Sequence, residues 1–310
     1  MLRVALMRFS KLLPRVGVWV GLVLALLSLG VGVGLKTEPP AVQVTIQPTA
    51  IGRQVAGGTL LIAGGGDLPP RVQQQFVELA GGPDARLVVI PGVHVDAEYE
   101  AYYFQEWMEF RPASVHVLNA SSSAEANSDE FIKPLESATG VWLGGGQQTW
   151  LTSCYRGTAT EAAVRKVLDR QGIVGGTSAG AAVMSEVMIT GGRKQPSVGT
   201  GFGLLPGVII DQHFIKRNRF SRLRQVVEQH PHLIGIGIDE NAAVIVSLET
   251  RRARVVGDSY IMLCVPETIG SHQRVDIDFY NPGDEFQLSE PGHPETMLAS
   301  ALKTNDSVEE

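Results

Sequence analysis

A single serine stands among small residues at positions 175–184, which read GGTSAGAAVM. The stretch from Gly176 to Gly180 fits G-x-S-x-G, the pattern of a nucleophile on a tight strand-to-helix turn. A serine held in this way can attack a carbonyl carbon. The same letters also fit a glycine-rich packing turn in an α/β protein, so other residues must decide between the two interpretations.

A serine nucleophile needs a base and a group that orients the base. Among seven histidines, His213 is the candidate base, because it follows the apolar run 208–210 at a predicted strand end. On its own it would equally suit a structural histidine. Asp239 and Glu240 follow the apolar run 233–238, and either carboxylate could accept the His213 Nδ1–H or instead cap the next turn.

The third requirement is an oxyanion hole. The backbone N–H of Ala179, at the start of the predicted helix, is one candidate donor. The second is expected from the glycines of LGGGQ, centred on Gly145, because glycine lets the backbone approach closely.

Alternating elements must position these residues. Short β-branched runs alternate with helical patterns, which predicts a mostly parallel sheet with helices on both faces and a ligand site beyond the carboxyl ends of the strands. Beyond residue 232 the pattern is β-rich, which indicates a C-terminal β-hairpin extension of the same domain. The predicted strands are 59–66, 86–92, 114–120, 140–146 and 172–177, and the predicted helices are 70–79, 97–110, 123–138, 159–170 and 180–188.

A nucleotide site is the competing interpretation of the glycine-rich strand ends. Gly64 and Gly66 begin a G-x-G-x-x-G spacing, but Pro69 stands where the third glycine should be. The sequence also lacks a G-x-x-x-x-G-K-[ST] loop. Nucleotide binding therefore has little support.

Composition narrows the function classes. The chain has 310 residues and a net charge of −6, with four basic and no acidic residues among the first 35. The remainder has 26 − 4 = 22 basic against 32 acidic residues, or −10, which argues against nucleic-acid binding. Cys154 and Cys264 have no metal-site spacing, and they could pair in an exported protein. We expect no metal and no cofactor.

The amino terminus has a targeting pattern. Basic residues precede an uncharged apolar run over residues 16–35, long enough to span a bilayer. We expect 1–35 to be an uncleaved anchor or a cleaved signal peptide, which makes the protein periplasmic or extracellular. The other predicted segments are a linker over 36–57, a catalytic domain over 58–288 and a flexible tail over 289–310.

Three stretches carry a family resemblance: GGTSAGAAVMS, LLPGVIIDQHFIKRNRFSRL and GIGIDENAAVIV. Over about 59–264 the chain resembles the cyanophycinases, in a serine peptidase family that also contains the aspartyl dipeptidases. The resemblance implies a class I glutamine amidotransferase-like fold, usually dimeric. It also implies that Ser178 is the nucleophile, His213 the base and Glu240 the third member.

The resemblance further implies a substrate. Cyanophycin is a poly-aspartate with arginine joined to each β-carboxyl, and cleavage releases β-Asp-Arg dipeptides. Guanidinium groups bind carboxylates bidentately, and an aspartate such as Asp211 can receive a guanidinium. One difference is Gly146, at a position where the family has an acidic residue. The substrate contacts implied are Gln147, Asp211, Gln212, Arg217, Arg219 and Arg222.

The sequence thus predicts an exported serine exopeptidase acting on cyanophycin or a related β-aspartyl peptide, as a homodimer. An aspartyl dipeptidase of the same family is one alternative. A binding protein that keeps the fold without catalysis is the other.

Overall fold

The computed structural model describes residues 57–269 and 272–294. The predicted targeting segment 1–35, almost all of the linker and most of the predicted tail lie outside these residues. Among the helices that the structure describes, none is long and apolar enough to cross a membrane.

Strands make up most of the framework that positions the site. In chain order they are β1 (Thr59–Ala63), β2 (Arg86–Gly92), β3 (Ser114–Val117), β4 (Gly140–Gly146), β5 (Ile173–Thr177), β6 (Val187–Gly191), β7 (Ser197–Thr200), β8 (Val208–Gln212), β9 (Ile234–Ile238), β10 (Ala242–Ser247), β11 (Arg252–Gly257), β12 (Ile261–Ile269), β13 (His272–Tyr280) and β14 (Glu285–Gln287).

The main sheet has eight strands in the order β14-β11-β10-β1-β5-β4-β2-β3. The five adjacent strands β1, β5, β4, β2 and β3 are parallel to one another. At the other side of β1, the strands β10, β11 and β14 add an antiparallel edge. The strands β1, β2, β4 and β5 are buried along nearly all their length, as expected of a sheet covered on both faces. This confirms the predicted fold class.

A second sheet of four strands, in the order β13-β12-β9-β8, was not foreseen. Within the β-rich region predicted beyond residue 232, β10 and β11 lengthen the main sheet, whereas the hairpin β12–β13 pairs with β9. β8 and β9 are parallel, with Gln212 opposite Ile238. The residues that follow these two strands are therefore neighbours.

Helices α1 to α5 connect strands of the main sheet, α6 follows β5, and α7 joins β8 to β9 and packs against the second sheet. They are α1 (Pro70–Leu79), α2 (Ala97–Met108), α3 (Asp129–Ser137), α4 (Gln148–Tyr155), α5 (Ala159–Asp169), α6 (Ala179–Ala182) and α7 (Phe220–Gln229). The helix expected over 123–138 is shorter, because Ser128 caps α3 by accepting a hydrogen bond from the Phe131 N–H at 3.3 Å.

The helix expected over 180–188 was wrong in length, since α6 ends at Ala182. The next carbonyls accept hydrogen bonds from a returning segment: Val183 from the Phe202 N–H and Met184 from the Leu205 N–H. Because these two carbonyls accept hydrogen bonds from residues outside the helix, they are not available for the next helical turn, and α6 ends there. The chain leaves instead through the β6–β7 hairpin, which the sequence analysis missed.

Three aromatic rings fix α1 and α2 on one face of the main sheet. Phe76 of α1 lies 5.3 Å from Trp107 of α2 and 5.1 Å from Trp142 of β4, centroid to centroid. Trp107 and Trp142 are themselves 4.9 Å apart. Such aromatic clusters bury large apolar areas with specific geometry, so the position of α2 relative to the sheet is well defined.

Candidate active site

Ser178 stands on the sharp turn that joins β5 to α6. Its backbone has φ 52° and ψ −108°, outside the regions that residues with a Cβ normally occupy. Its N–H donates to the Ala63 carbonyl of the neighbouring strand at 3.1 Å, which ties the turn to β1. Backbone strain of this kind, roughly 1–3 kcal/mol, persists only where the surrounding structure enforces it.

The two glycines of the motif make the tight turn feasible. A Cβ at Gly180 would lie 2.0 Å from the Leu143 carbonyl oxygen, so α6 touches the backbone of β4. A Cβ at Gly176 would lie 2.8 Å from the Gly180 carbonyl, so the strand and the helix also touch. The small residues around Ser178 are thus explained by close backbone approach on two sides.

His213 follows β8 of the second sheet, and its ring reaches the serine. Its Nε2 lies 2.9 Å from the Ser178 Oγ. The residue has φ 47°, and its N–H donates to the Gly64 carbonyl at 2.8 Å. The end of β1 therefore holds both turns, because Ala63 binds Ser178 and Gly64 binds His213.

Glu240, which the family resemblance implies as the third member, and its neighbour Asp239 have separate contacts. Glu240 Oε1 lies 2.7 Å from His213 Nδ1. Asp239 Oδ1 instead accepts hydrogen bonds from the N–H groups of Ile215 and Lys216, at 3.0 and 2.9 Å. Glu240 thus contacts the imidazole, while Asp239 holds the turn that follows it.

The surroundings of His213 favour the neutral imidazole. Burial lowers the pKa of His213 below its usual value, and the cations of Arg217 and Arg219 lower it further. The hydrogen bond and negative charge of Glu240 act in the opposite direction. A neutral ring bonded to Glu240 through Nδ1–H has its Nε2 lone pair free to accept the Ser178 proton.

Gly65 is a component of the site that the sequence analysis did not identify. A Cβ at this position would lie 2.4 Å from His213 Cε1 and 2.6 Å from Nε2, so the glycine backbone forms a wall of the imidazole pocket. Gly66 similarly lies against the Glu240 Cβ. The signal was the glycine run that follows β1, which the sequence placed on the ligand side of the sheet without assigning it a contact to His213.

The proposed oxyanion donors lie next to the serine. Ala179 is the first residue of α6, where backbone N–H groups have no partner inside the helix. A Cβ at Gly145 would lie 3.7 Å from the Ser178 Cβ, in van der Waals contact. The end of β4 and the start of α6 therefore flank the hydroxyl.

Asp211 and Arg222, expected as substrate contacts, bind each other. Asp211 is completely buried, and its carboxylate accepts hydrogen bonds from Arg222 Nε at 2.7 Å and from Arg222 Nη2. Arg219 Nη1 lies 3.4 Å from the same carboxylate and 2.6 Å from the Gln212 carbonyl. Arg222 Nη1 also donates to the Gly192 carbonyl of the β6–β7 hairpin. The acceptor that Asp211 was expected to offer to a substrate guanidinium is therefore already engaged.

The remaining residues expected to contact substrate differ in their exposure to solvent. Gln212 is buried and its Oε1 has no partner among the described residues, whereas Arg217 and Gln147 are exposed. Gln147 stands at the N-terminal end of α4, immediately after the Gly144–Gly146 turn. The following Gln148 is tied to β6 through its Nε2, which donates to the Ile189 carbonyl at 3.1 Å.

Cys154 and Cys264 are both buried and free, so the bridge that the sequence allowed is not formed. Burial raises the pKa of the Cys264 thiol to about 12. Thiols of this kind are protonated and inert.

Comparisons with known proteins show the family to which the chain is related. The family model described as peptidase family S51 matches residues 60–253. A cyanophycinase from Synechococcus elongatus is 30% identical over 243 residues, covering 74% of this chain and 75% of the relative. A cyanophycinase from Geminocystis herdmanii is 31% identical over 205 residues, covering 62% of this chain and 75% of the relative.

A solved structure has a similar fold. The crystal structure of a peptidase from an acI-B1 Actinobacterium superimposes with a TM-score of 0.57 at 20% identity, over 76% of this chain and 98% of that one. At this level of identity the likeness concerns the fold alone.

Proposed function

Because this chain belongs to peptidase family S51 and is a serine-type hydrolase, we propose that it cleaves cyanophycin by way of an acyl-enzyme on Ser178 and releases β-Asp-Arg dipeptides. The observation that carries the proposal is the hydrogen-bonded chain from Ser178 Oγ through His213 to Glu240, with links of 2.9 and 2.7 Å. The named activity of the relatives supports the choice of substrate.

In the first half of the reaction, Ser178 Oγ attacks the carbonyl carbon of an aspartyl residue in the polymer backbone. His213 Nε2 takes the hydroxyl proton as the C–O bond forms, and Glu240 stabilises the resulting imidazolium. The N–H groups of Ala179 and Gly145 stabilise the oxyanion. When the tetrahedral intermediate collapses, the C–N bond breaks and His213 gives its proton to the leaving amine.

In the second half, water attacks the ester. His213 Nε2 accepts a proton from the water, the tetrahedral intermediate forms again, and the C–O bond to Ser178 breaks. The proton returns to the serine oxygen, and the carboxylic acid product dissociates. The depressed pKa of His213 suits this cycle, because the base must be neutral at the start of each half.

We assign substrate contacts to those side chains near Ser178 that are exposed to solvent. Arg217 and Gln147 are accessible. The Arg217 guanidinium can bind the carboxylate of an arginyl group of the polymer through two parallel hydrogen bonds. Gln212 is buried, so it is not among the accessible contacts; its Oε1 has no partner among the described residues. Arg219, Asp211 and Arg222 act behind these residues, by holding the loop that carries Gln212 and His213.

The decisive experiment is to incubate the purified chain with cyanophycin and to measure β-Asp-Arg release. Ser178→Ala should abolish release while the thermal unfolding midpoint stays near that of the wild type. Ser221→Ala, an exposed serine on α7, is the matched control and should keep full activity. Release by Ser178→Ala equal to wild type would overturn the nucleophile assignment.

Two outcomes with the wild type separate the alternatives. Faster cleavage of isolated aspartyl dipeptides than of polymer would indicate a dipeptidase. Binding of polymer without turnover would indicate a non-catalytic protein. Export directed by residues 1–35 and assembly as a homodimer remain predictions from the sequence, and cell fractionation and sedimentation would test them.

A further inference from the structure

Helix α2 exposes an unusual combination of side chains. Of its twelve residues, Trp107 alone is buried, whereas Tyr99 and Tyr102 are 53% and 60% exposed. Tyr99, Tyr102, Glu106 and Glu109 follow one another at intervals of three or four residues, which places them along one side of the helix. These four residues are called the α2 stripe below.

The α2 stripe contains two carboxylates: Glu109 is exposed, whereas Glu106 is partly buried and accepts a hydrogen bond from Gln73 Nε2 at 3.0 Å. The negative charge of Glu106 raises the pKa of Tyr102, and burial, Glu109 and Asp67 add to the effect, so three carboxylates act on one phenol. Residues 95–110 also include Asp96, Glu98 and Glu100 and contain no Lys or Arg. A second copy of the helix would bring like charges together, which argues against self-association through this face.

The N-terminal end of the α2 stripe is on the side of the sheet that carries the catalytic residues. Asp67 directly follows Gly66, whose backbone lies against the Glu240 Cβ. α2 begins five residues after Gly92, the last residue of β2, and a Cβ at Gly92 would lie 2.3 Å from the Gly145 carbonyl oxygen. The loop that follows β1 therefore lies beside Glu240, and the loop that leads to α2 begins beside Gly145.

From this arrangement we propose that the α2 stripe is a second substrate-binding surface, which holds guanidinium groups of polymer units outside the catalytic centre. A guanidinium stacks on tyrosine rings and pairs with carboxylates, and it is less strongly hydrated than an ammonium. Cyanophycin presents one at the end of each side arm. This inference rests on the proposed function for the identity of the polymer, but not for the binding chemistry.

Binding is tested with a labelled oligo-arginine peptide and the full chain carrying Ser178→Ala. Each exposed ring that stacks on a guanidinium strengthens binding by roughly two- to fivefold, so Tyr99→Ala/Tyr102→Ala should weaken it about tenfold. An oligo-lysine peptide of equal length should bind more weakly than oligo-arginine. Phe104→Ala is the matched control, because Phe104 is an exposed aromatic residue at a different angular position on α2, and it should bind like the parent.

Turnover gives the second readout. With Ser178 restored, the double tyrosine variant should have a raised KM for long cyanophycin, whereas kcat and the KM for the shortest cleavable oligomer should stay within about twofold. Peptide binding unchanged by the double substitution would overturn the inference. So would concentration-dependent self-association that the double substitution abolishes, because the stripe would then be a subunit interface.

The two proposals can fail separately. A wild-type chain that binds oligo-arginine through the stripe but does not cleave cyanophycin would overturn the proposed function alone. A chain that cleaves cyanophycin with the same KM in wild type and double variant would overturn the second binding surface alone.

Discussion

Gly65 lies directly against the imidazole of His213: a Cβ at position 65 would come within 2.4 Å of the ring Cε1. The glycine belongs to the end of β1, and the histidine follows β8 of the other sheet. His213 therefore keeps its 2.9 Å contact with Ser178 only as long as position 65 has no side chain.

Gly65→Ala should reduce kcat on cyanophycin by about 100-fold, because an approximately 1 Å displacement of a catalytic group has an effect of that size. Gly65 also has φ +104°, so some loss of stability is expected from the backbone alone. Gly157→Ala separates the two effects, since Gly157 has φ +77° and no atom lies near its hypothetical Cβ. That variant should lose stability and keep its kcat; equal kcat in both variants would contradict the packing argument.

Glu240→Gln should lower kcat by about 10³-fold or more, because a neutral amide does not stabilise the imidazolium and favours the wrong tautomer. Asp239→Asn is the matched control one residue away. Its Oδ1 can still accept the Ile215 and Lys216 N–H groups, so kcat should change by no more than a few fold. A larger effect at Asp239 than at Glu240 would reverse the assignment of the two carboxylates.

The pH profile should reflect His213. Because its pKa is depressed, the acid limb of kcat/KM should lie below about 6.5, the ordinary value for histidine. Arg217→Ala removes a cation that lowers this pKa and should move the limb to higher pH. Glu240→Gln removes the partner that raises it and should move the residual limb to lower pH. Shifts of the same sign in both variants would exclude His213 as the titrating group.

The free energy of unfolding should depend on pH over the same range, in which His213 titrates. As the pH falls through about 6.5, the unfolded imidazole takes up a proton while the folded one stays neutral until its lower pKa is reached. The unfolded state binds more protons there, so His213 makes the free energy of unfolding decrease as the pH falls. Urea titrations of wild type and His213→Gln at several pH values measure this, and identical pH dependence would contradict it.

Arg222→Ala should lower the free energy of unfolding by about 3–5 kcal/mol, because it leaves the buried Asp211 carboxylate without its main partner. Arg224→Ala is the control two residues along α7. Its salt bridge to Glu228 joins half-exposed side chains, so the change should stay within about 1 kcal/mol. Asp211→Asn/Arg222→Met should recover part of the loss, since neither buried charge remains. Equal losses at the two arginines would show that the buried pair is not stabilising.

The pattern of small residues around Ser178 was sufficient to predict a strand, a sharp turn and a buried helix, because those local requirements are written in consecutive residues. Helix α1 and strands β2 and β4 were predicted with the bounds that the structure has. The predicted α6 was too long, because carbonyls that end it are satisfied by residues 201–205, which no local pattern indicates.

The sequence alone determined the residue types that can react, the α/β class and the family resemblance, since these depend on short stretches and their order. Tertiary structure brought the Glu240 carboxylate, which the resemblance implied, to His213, and it placed Asp211 and Arg222 in a buried pair instead of an open subsite. It also brought Ser178, which follows β5 of the main sheet, to His213 and Glu240, which follow β8 and β9 of the second sheet, and it placed Gly65 against the imidazole. The reason is physical: contacts between two sheets depend on how the strands are ordered and packed, and the local sequence around each residue does not indicate that order.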